Sequence, residues 1–142
     1  MKIDYKRLLI SILIPLLLGT IAGLITNSGY KDMIQPSFAP PGFLFPIVWG
    51  ILYILMGISN YLVPNNKYYY PQLVINLLWS FIFFTFKLYL LAFIWIIVLI
   101  IFVILMIREY YKNNKLSAYI QIPYLLWLIF AAILCYAVFK LN

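Results

Sequence analysis

Trp49, Tyr53, Met56 and Asn60 follow one another at intervals of four, three and four residues, the spacing of a single helix face. Gln72, Asn76, Trp79 and Phe83 line up in the same way, and so do Tyr124, Trp127, Ala131 and Leu134, with the small Ala131 leaving room beside Trp127. Gln72 and Asn76 carry the sharpest signal. An amide in an apolar stretch is costly without partners, so both side chains must point towards other helices or a cavity. If the three faces meet, they enclose a mostly apolar pocket with a few polar anchors, the make-up of a small-molecule site. The same residue types also serve as interfacial aromatic belts and as hydrogen bonds between membrane helices, and spacing alone leaves both open.

The rest of the inventory removes most chemistry. Histidine is absent, and with it the commonest general base and the commonest metal and haem ligand. The acids are Asp4, Asp32 and Glu109, none of them in the middle of an apolar run, so no paired-carboxylate catalyst and no buried proton carrier is available. A single cysteine, Cys135, allows neither an intrachain disulfide nor a cysteine metal cluster, and it reads as a small packing residue. No metal site is expected, and a conventional acid–base or metal enzyme is excluded.

These faces must be positioned by elements that live in a bilayer. Of the 142 residues, 67% are hydrophobic and 9% charged, against about 45–50% and about 25% in soluble domains. The chain therefore reads as one integral membrane domain. Five apolar runs are long enough to span, at about 8–27, 43–63, 69–86, 88–111 and 116–139. Backbone polar groups in lipid must be satisfied within the segment, so the fold class is an all-α bundle of five transmembrane helices. Lys2, Lys6 and Arg7 precede the first run as in a signal peptide, but the run is too long for one and is expected to be a retained span. Pro15, Pro46 and Pro123 fall inside spans, where each is expected to free a carbonyl and kink its helix. Gly19 and Gly23 form a G-x-x-x-G, which permits close helix approach to a partner in the chain or in a second subunit.

Lys2, Lys6, Arg7, Lys67, Arg108, Lys112 and Lys115 lie on the side of the N-terminus, and Lys31, Lys87 and Lys140 on the other. That bias places the N-terminus in the cytoplasm and the C-terminus outside. It also accounts for the net charge of +7 as contacts with membrane lipid, with no need for nucleic acid. The longest connection, 29–42, is rich in proline and external, and is suited to act as a stiff cover. Five spans without an internal repeat or a midplane carboxylate argue against a transporter built on inverted repeats. A transporter of another kind and a regulatory adaptor stand as the alternative functions.

PSFAPPGFLFPIVWGILYILMG, then QLVINLLWSFIFF, then PYLLWLIFAAILCY resemble, in order and spacing, the translocator protein family, also called tryptophan-rich sensory proteins. The resemblance runs over roughly the whole chain. It implies a homodimeric five-helix receptor of a bacterial cell membrane. Such a receptor binds protoporphyrin IX or related tetrapyrroles, sterols, and isoquinoline- or benzodiazepine-type drugs, and needs no cofactor. With histidine absent, metal-free porphyrin is favoured over haem. By motif, Trp49 and Tyr53 match VWxxLY, Asn76 and Trp79 match NxxW, Phe83 and Phe84 match a phenylalanine pair, and Trp127, Phe130 and Ala131 match WxxFA. The ligand-binding cover supplies Phe38, Pro41 and Phe43. Some bacterial members degrade protoporphyrin in light, and the tryptophans implicated resemble Trp49 and Trp127. Leu134, Tyr136 and Lys140 fit a loose sterol-contact pattern. The chain departs from the family where Phe38 and Phe43 replace tryptophans, which keeps a stacking face but loses the indole N–H. Cys135 replaces an asparagine of that pattern, and YYYPQL lacks the small residues that some members use for dimer contact.

Overall fold

The computed structural model describes residues 2–26, 30 and 33–142. Residues 27–29, Lys31 and Asp32, around the start of the proline-rich connection, lie outside the described residues. The helices are α1 (Tyr5–Thr26), α2 (Leu44–Leu62), α3 (Tyr69–Ser80), α4 (Tyr89–Asn113), α5 (Lys115–Ile120) and α6 (Ile122–Leu141). Among the described residues there is no strand. Four stretches are long and apolar enough to cross a membrane: α1, α2, α4, and α5 with α6 taken together. The fifth span is α3, whose 12 residues continue into a five-residue π turn, Phe81–Thr85. Together they reach about 25 Å at 1.5 Å per residue, so α3 approaches full span length only through that turn.

The spans close into a ring. α1 packs on α2, α2 on α5, α5 and α6 on α4, α4 on α3, and α3 back on α1. Inside lie the stripes expected from spacing, with Met56, Gln72, Asn76, Trp79, Tyr124 and Leu134 all buried. Outside, aliphatic side chains such as Leu24, Ile51, Ile97 and Ile133 stay exposed, as a lipid-facing surface requires.

One of the three expected proline kinks, at Pro46, is corrected, and that at Pro123 takes the form of a break between two helices. Pro46 sits in the first turn of α2, and Pro123 at the second residue of α6, where a missing N–H costs nothing because first-turn donors have no intrahelical partner. Pro15 alone lies in a helix interior. Pro123 has another consequence. It cannot donate to the carbonyl four residues back, and the fifth span divides into α5 and α6 at Gln121. The Gln121 amide spans the break by donating to the Leu55 carbonyl at 3.0 Å and to Ser59 Oγ at 2.8 Å, while Ser59 Oγ donates to the Ser117 carbonyl at 2.9 Å.

α1 meets α2 more closely than any side chain would allow. A Cβ on Gly57 would lie 2.4 Å from the Ile12 Cα and 2.5 Å from the Ser11 carbonyl oxygen, and one on Gly19 would lie 2.0 Å from the Tyr53 ring. The partner of Gly19 in the G-x-x-x-G is thus within the chain. At the end near the N-terminus the pair is pinned by polar contacts. Asp4 caps α1 by accepting from the Arg7 N–H at 3.1 Å, and its own N–H donates to the Tyr61 hydroxyl at 2.8 Å. The Arg7 guanidinium donates to the Tyr61 carbonyl at 3.1 Å and lies 4.2 Å from the Tyr61 ring centroid.

Candidate ligand-binding cavity

From the crossing at Gly57 and Gly19 the two helices diverge towards the proline-rich connection. At Gly23 and Gly50 an added Cβ would meet nothing within 4 Å. The wedge between them is a partly open cavity of about 470 Å³, within the ~300–1,000 Å³ of typical ligand sites. Gly19, Thr20, Gly23, Leu24 and Thr26 of α1 form one wall, and Phe45, Pro46, Trp49, Gly50 and Tyr53 of α2 another. Ser80 and Phe84 close the back, and Tyr30, Gln35, Gly42 and Phe43 of the connection form the cover.

The cover is braced rather than loose. Tyr30 donates its hydroxyl to the Pro40 carbonyl at 2.7 Å, and Gln35 donates to the Tyr30 carbonyl at 3.0 Å. Burial raises the Tyr30 pKa above the ordinary phenol value. The Tyr30 ring packs edge-on against Phe45 at 4.8 Å. Asn142, just past α6, ties down the connection by accepting from the Ile34 N–H at 3.1 Å and donating to the Ile34 carbonyl at 2.9 Å.

Trp49 is the centre of the aromatic wall. Its ring stacks on Tyr53 at 5.6 Å and lies 6.2 Å from Trp79, 6.3 Å from Tyr124 and 6.4 Å from Trp127. Trp79 in turn stacks on Phe83 at 5.1 Å, with an interplanar angle of 9°. The neighbouring phenylalanines divide their roles at the π turn: Phe83 is fully buried against Trp79, while Phe84 reaches the cavity.

Behind this wall the amides are spent on the bundle. Tyr53 OH donates to Asn76 Oδ1 at 2.8 Å, Asn76 Nδ2 to the Tyr124 hydroxyl at 2.7 Å, Tyr124 OH to Gln72 Oε1 at 2.7 Å, and Gln72 Nε2 to the Tyr69 carbonyl at 2.9 Å. One chain of four hydrogen bonds links α2, α3 and α6 across the ring. Replacing Asn76 with leucine strands the Tyr53 hydroxyl, at a cost of about 1–3 kcal/mol. We expect a lower thermal midpoint in detergent for Asn76→Leu, and partial recovery when Tyr53→Phe removes the stranded group.

Of the residues singled out by sequence, Phe43, Trp49, Tyr53 and Phe84 line the cavity. Asn76, Trp79, Phe83, Trp127, Phe130 and Ala131 stand in the layer behind it or beyond. Phe38 is half exposed and meets Phe130 edge-on at 6.3 Å, anchoring the cover to α6, and Pro41 is exposed. The sterol-pattern residues do not share a face: Leu134 is in the core, Tyr136 and Lys140 on the outer surface. Cys135 is buried. The α1 wall, with Tyr30, Gln35, Gly50 and Ser80, was not expected. The only sequence signal for it was the run of glycines at 19, 23 and 50, which bring helices together at one level and leave a gap at another.

A family model described as the TspO/MBR family matches residues 11–141. The chain is 35% identical to the tryptophan-rich protein TspO of Archaeoglobus fulgidus, over 96% of this chain and 97% of that one. It is 32% identical to the tryptophan-rich protein TspO of Chlorobaculum tepidum, over 80% and 78%. With the translocator protein of Homo sapiens it shares 30% identity over 80% of this chain and 74% of the human protein.

Proposed function

Because the chain belongs to the TspO/MBR family, we propose that it is a membrane receptor for flat hydrophobic ligands of the tetrapyrrole class. The ligand lies in the wedge between α1 and α2, under the proline-rich cover. The observation that carries this reading is the 470 Å³ cavity with the Trp49 ring on its wall. A planar aromatic ligand gains both apolar burial and stacking there. Its polar edge finds Thr20, Gln35 and Ser80 among the lining residues. The charge bias along the sequence supports placing the cover, and the mouth of the cavity, outside the cell.

Titration of protoporphyrin IX against tryptophan fluorescence tests the reading. The wild type should show saturable quenching, and Trp49→Phe should remove more of it than Trp127→Phe, whose ring stands 6.4 Å behind Trp49. Trp95→Phe serves as the control, since that indole is directed to the Ile75 carbonyl at 2.9 Å. Quenching that rises linearly without saturation would overturn the proposal.

Light-driven loss of the porphyrin forms the second part of the reading. The excited ring takes one electron from the Trp49 indole, dissolved dioxygen adds to the reduced ring to give the oxygenated product, and the hole left on the indole passes to Trp127, where an external one-electron donor such as a thiol fills it. Under illumination in air, Trp49→Phe should slow porphyrin bleaching, because a phenyl ring is far harder to oxidise than an indole. An equal bleaching rate in the variant, or in the absence of dioxygen, would sink this part alone.

A further inference from the structure

A second concavity lies on the outer surface of the bundle, between α4 and α6, and its lining is almost wholly apolar. The groove has a volume of about 520 Å³ and is lined by Phe93, Ile97 and Ile100 from α4 and by Ile129, Ala132, Ile133 and Tyr136 from α6. Ala132 is 6% exposed, whereas Ile97 and Ile129 are 40% and 44% exposed. The small residue therefore makes a floor and the branched ones make walls. At one end the Tyr136 ring meets Phe93 at 5.4 Å, and the Lys140 ammonium stands 5.8 Å from the Tyr136 centroid. Lys140 itself is exposed.

The groove, whose α6 lining ends at Tyr136, matches a single leaflet when taken together with the turn beyond it that carries Lys140. Ile129 and Lys140 are eleven positions apart on α6, a rise of about 16 Å, close to half of a bilayer's ~30 Å hydrocarbon core. A chain lying in the groove thus runs from the midplane to the headgroup level, where a cation waits. We propose that this groove holds one acyl chain of an anionic phospholipid, in the leaflet at the C-terminal end of α6, with the lipid phosphate beside Lys140.

Two other occupants fit less well. A sterol presents a neutral hydroxyl, for which a lysine has no charge preference, and Leu134 of the sterol pattern faces the core on another side of α6. A second copy related by a two-fold axis along the membrane normal would bring two Lys140 side chains to the same rim.

The test uses the full chain in nanodiscs of mixed phosphatidylglycerol and phosphatidylcholine with matched oleoyl chains, followed by native mass spectrometry of the retained lipids. The wild type should retain one phosphatidylglycerol, preferred about fivefold, as expected for one lysine near an anionic headgroup. Lys140→Gln, a surface change, should bring the preference to about one while phosphatidylcholine retention is unchanged. Ile129→Trp, placed on an exposed wall, should abolish retention of both. Equal retention by the wild type, a preference that survives Lys140→Gln, or retention that survives Ile129→Trp overturns the proposal. One-for-one displacement by cholesterol, or a disulfide-linked pair formed by Ile133→Cys, would give the groove to a sterol or to a second copy and overturns it as well.

Discussion

Gly50→Phe should weaken protoporphyrin binding by at least about a hundredfold, on the order of 3 kcal/mol, and leave the bundle intact. Gly50 lines the cavity and an added Cβ there meets no atom within 4 Å. The new side chain therefore starts, at its Cβ, in open space of the cavity that the ligand needs. Glycine is also a poor helix former, so the substitution gives α2 a small gain in helix propensity. Gly23→Leu makes the same test from the α1 wall, where an added Cβ again meets nothing within 4 Å. Fluorescence titration reports binding, and the thermal midpoint in the same detergent reports folding. Undiminished binding in both variants would move the ligand elsewhere, towards the layer of Trp79, Phe83 and Trp127.

The same kind of substitution about two turns further along α2 should do the opposite. Gly57→Ala puts a Cβ 2.4 Å from the Ile12 Cα and 2.5 Å from the Ser11 carbonyl oxygen, both of them backbone atoms that cannot swing aside. α1 must then move away from α2, and overpacking of this kind costs about 1–3 kcal/mol, more where the neighbour is rigid. α1 is vulnerable because few of its residues are buried: Pro15, Ala22 and Thr26. We expect Gly57→Ala to lower the thermal midpoint strongly, and Gly57→Val to prevent stable association of α1. Binding should fall with it, since α1 is one wall of the cavity. Gly19→Ala should behave similarly, because the Tyr53 ring it would strike is held by its hydrogen bond to Asn76 at 2.8 Å. Stability equal to the wild type in Gly57→Ala would contradict the close crossing.

The contrast between these glycines marks the limit of what a periodic pattern conveys. The stripes on the second, third and fifth spans were legible because an amide or an indole on an apolar helix must face inward, and helical spacing states which others face inward with it. Gln72, Asn76 and Tyr124 are accordingly buried and bonded to one another. α1 bears no such mark. It is apolar all round, so no face stands out, and its role as a cavity wall depends on how it crosses α2. Spacing also places Asn76 and Trp127 on inward faces without telling whether a ligand or another side chain meets them there. Here other side chains do: Tyr53 and Tyr124 around Asn76, and Trp49 and Phe45 beside Trp127.

Composition, run length and the order of motifs by themselves determined a membrane-embedded all-α chain of five spans and its family. Those properties follow from transfer free energy and from which side chains are present, and neither depends on how the helices meet. Tertiary structure alone decided that Gly57 and Gly19 are contacts while Gly23 and Gly50 are space, that the cavity opens between α1 and α2, and that Tyr136 and Lys140 lie on the outer surface while Leu134 faces the core. The physical reason is that a glycine, like a gap, takes its meaning from what the crossing angle brings opposite it.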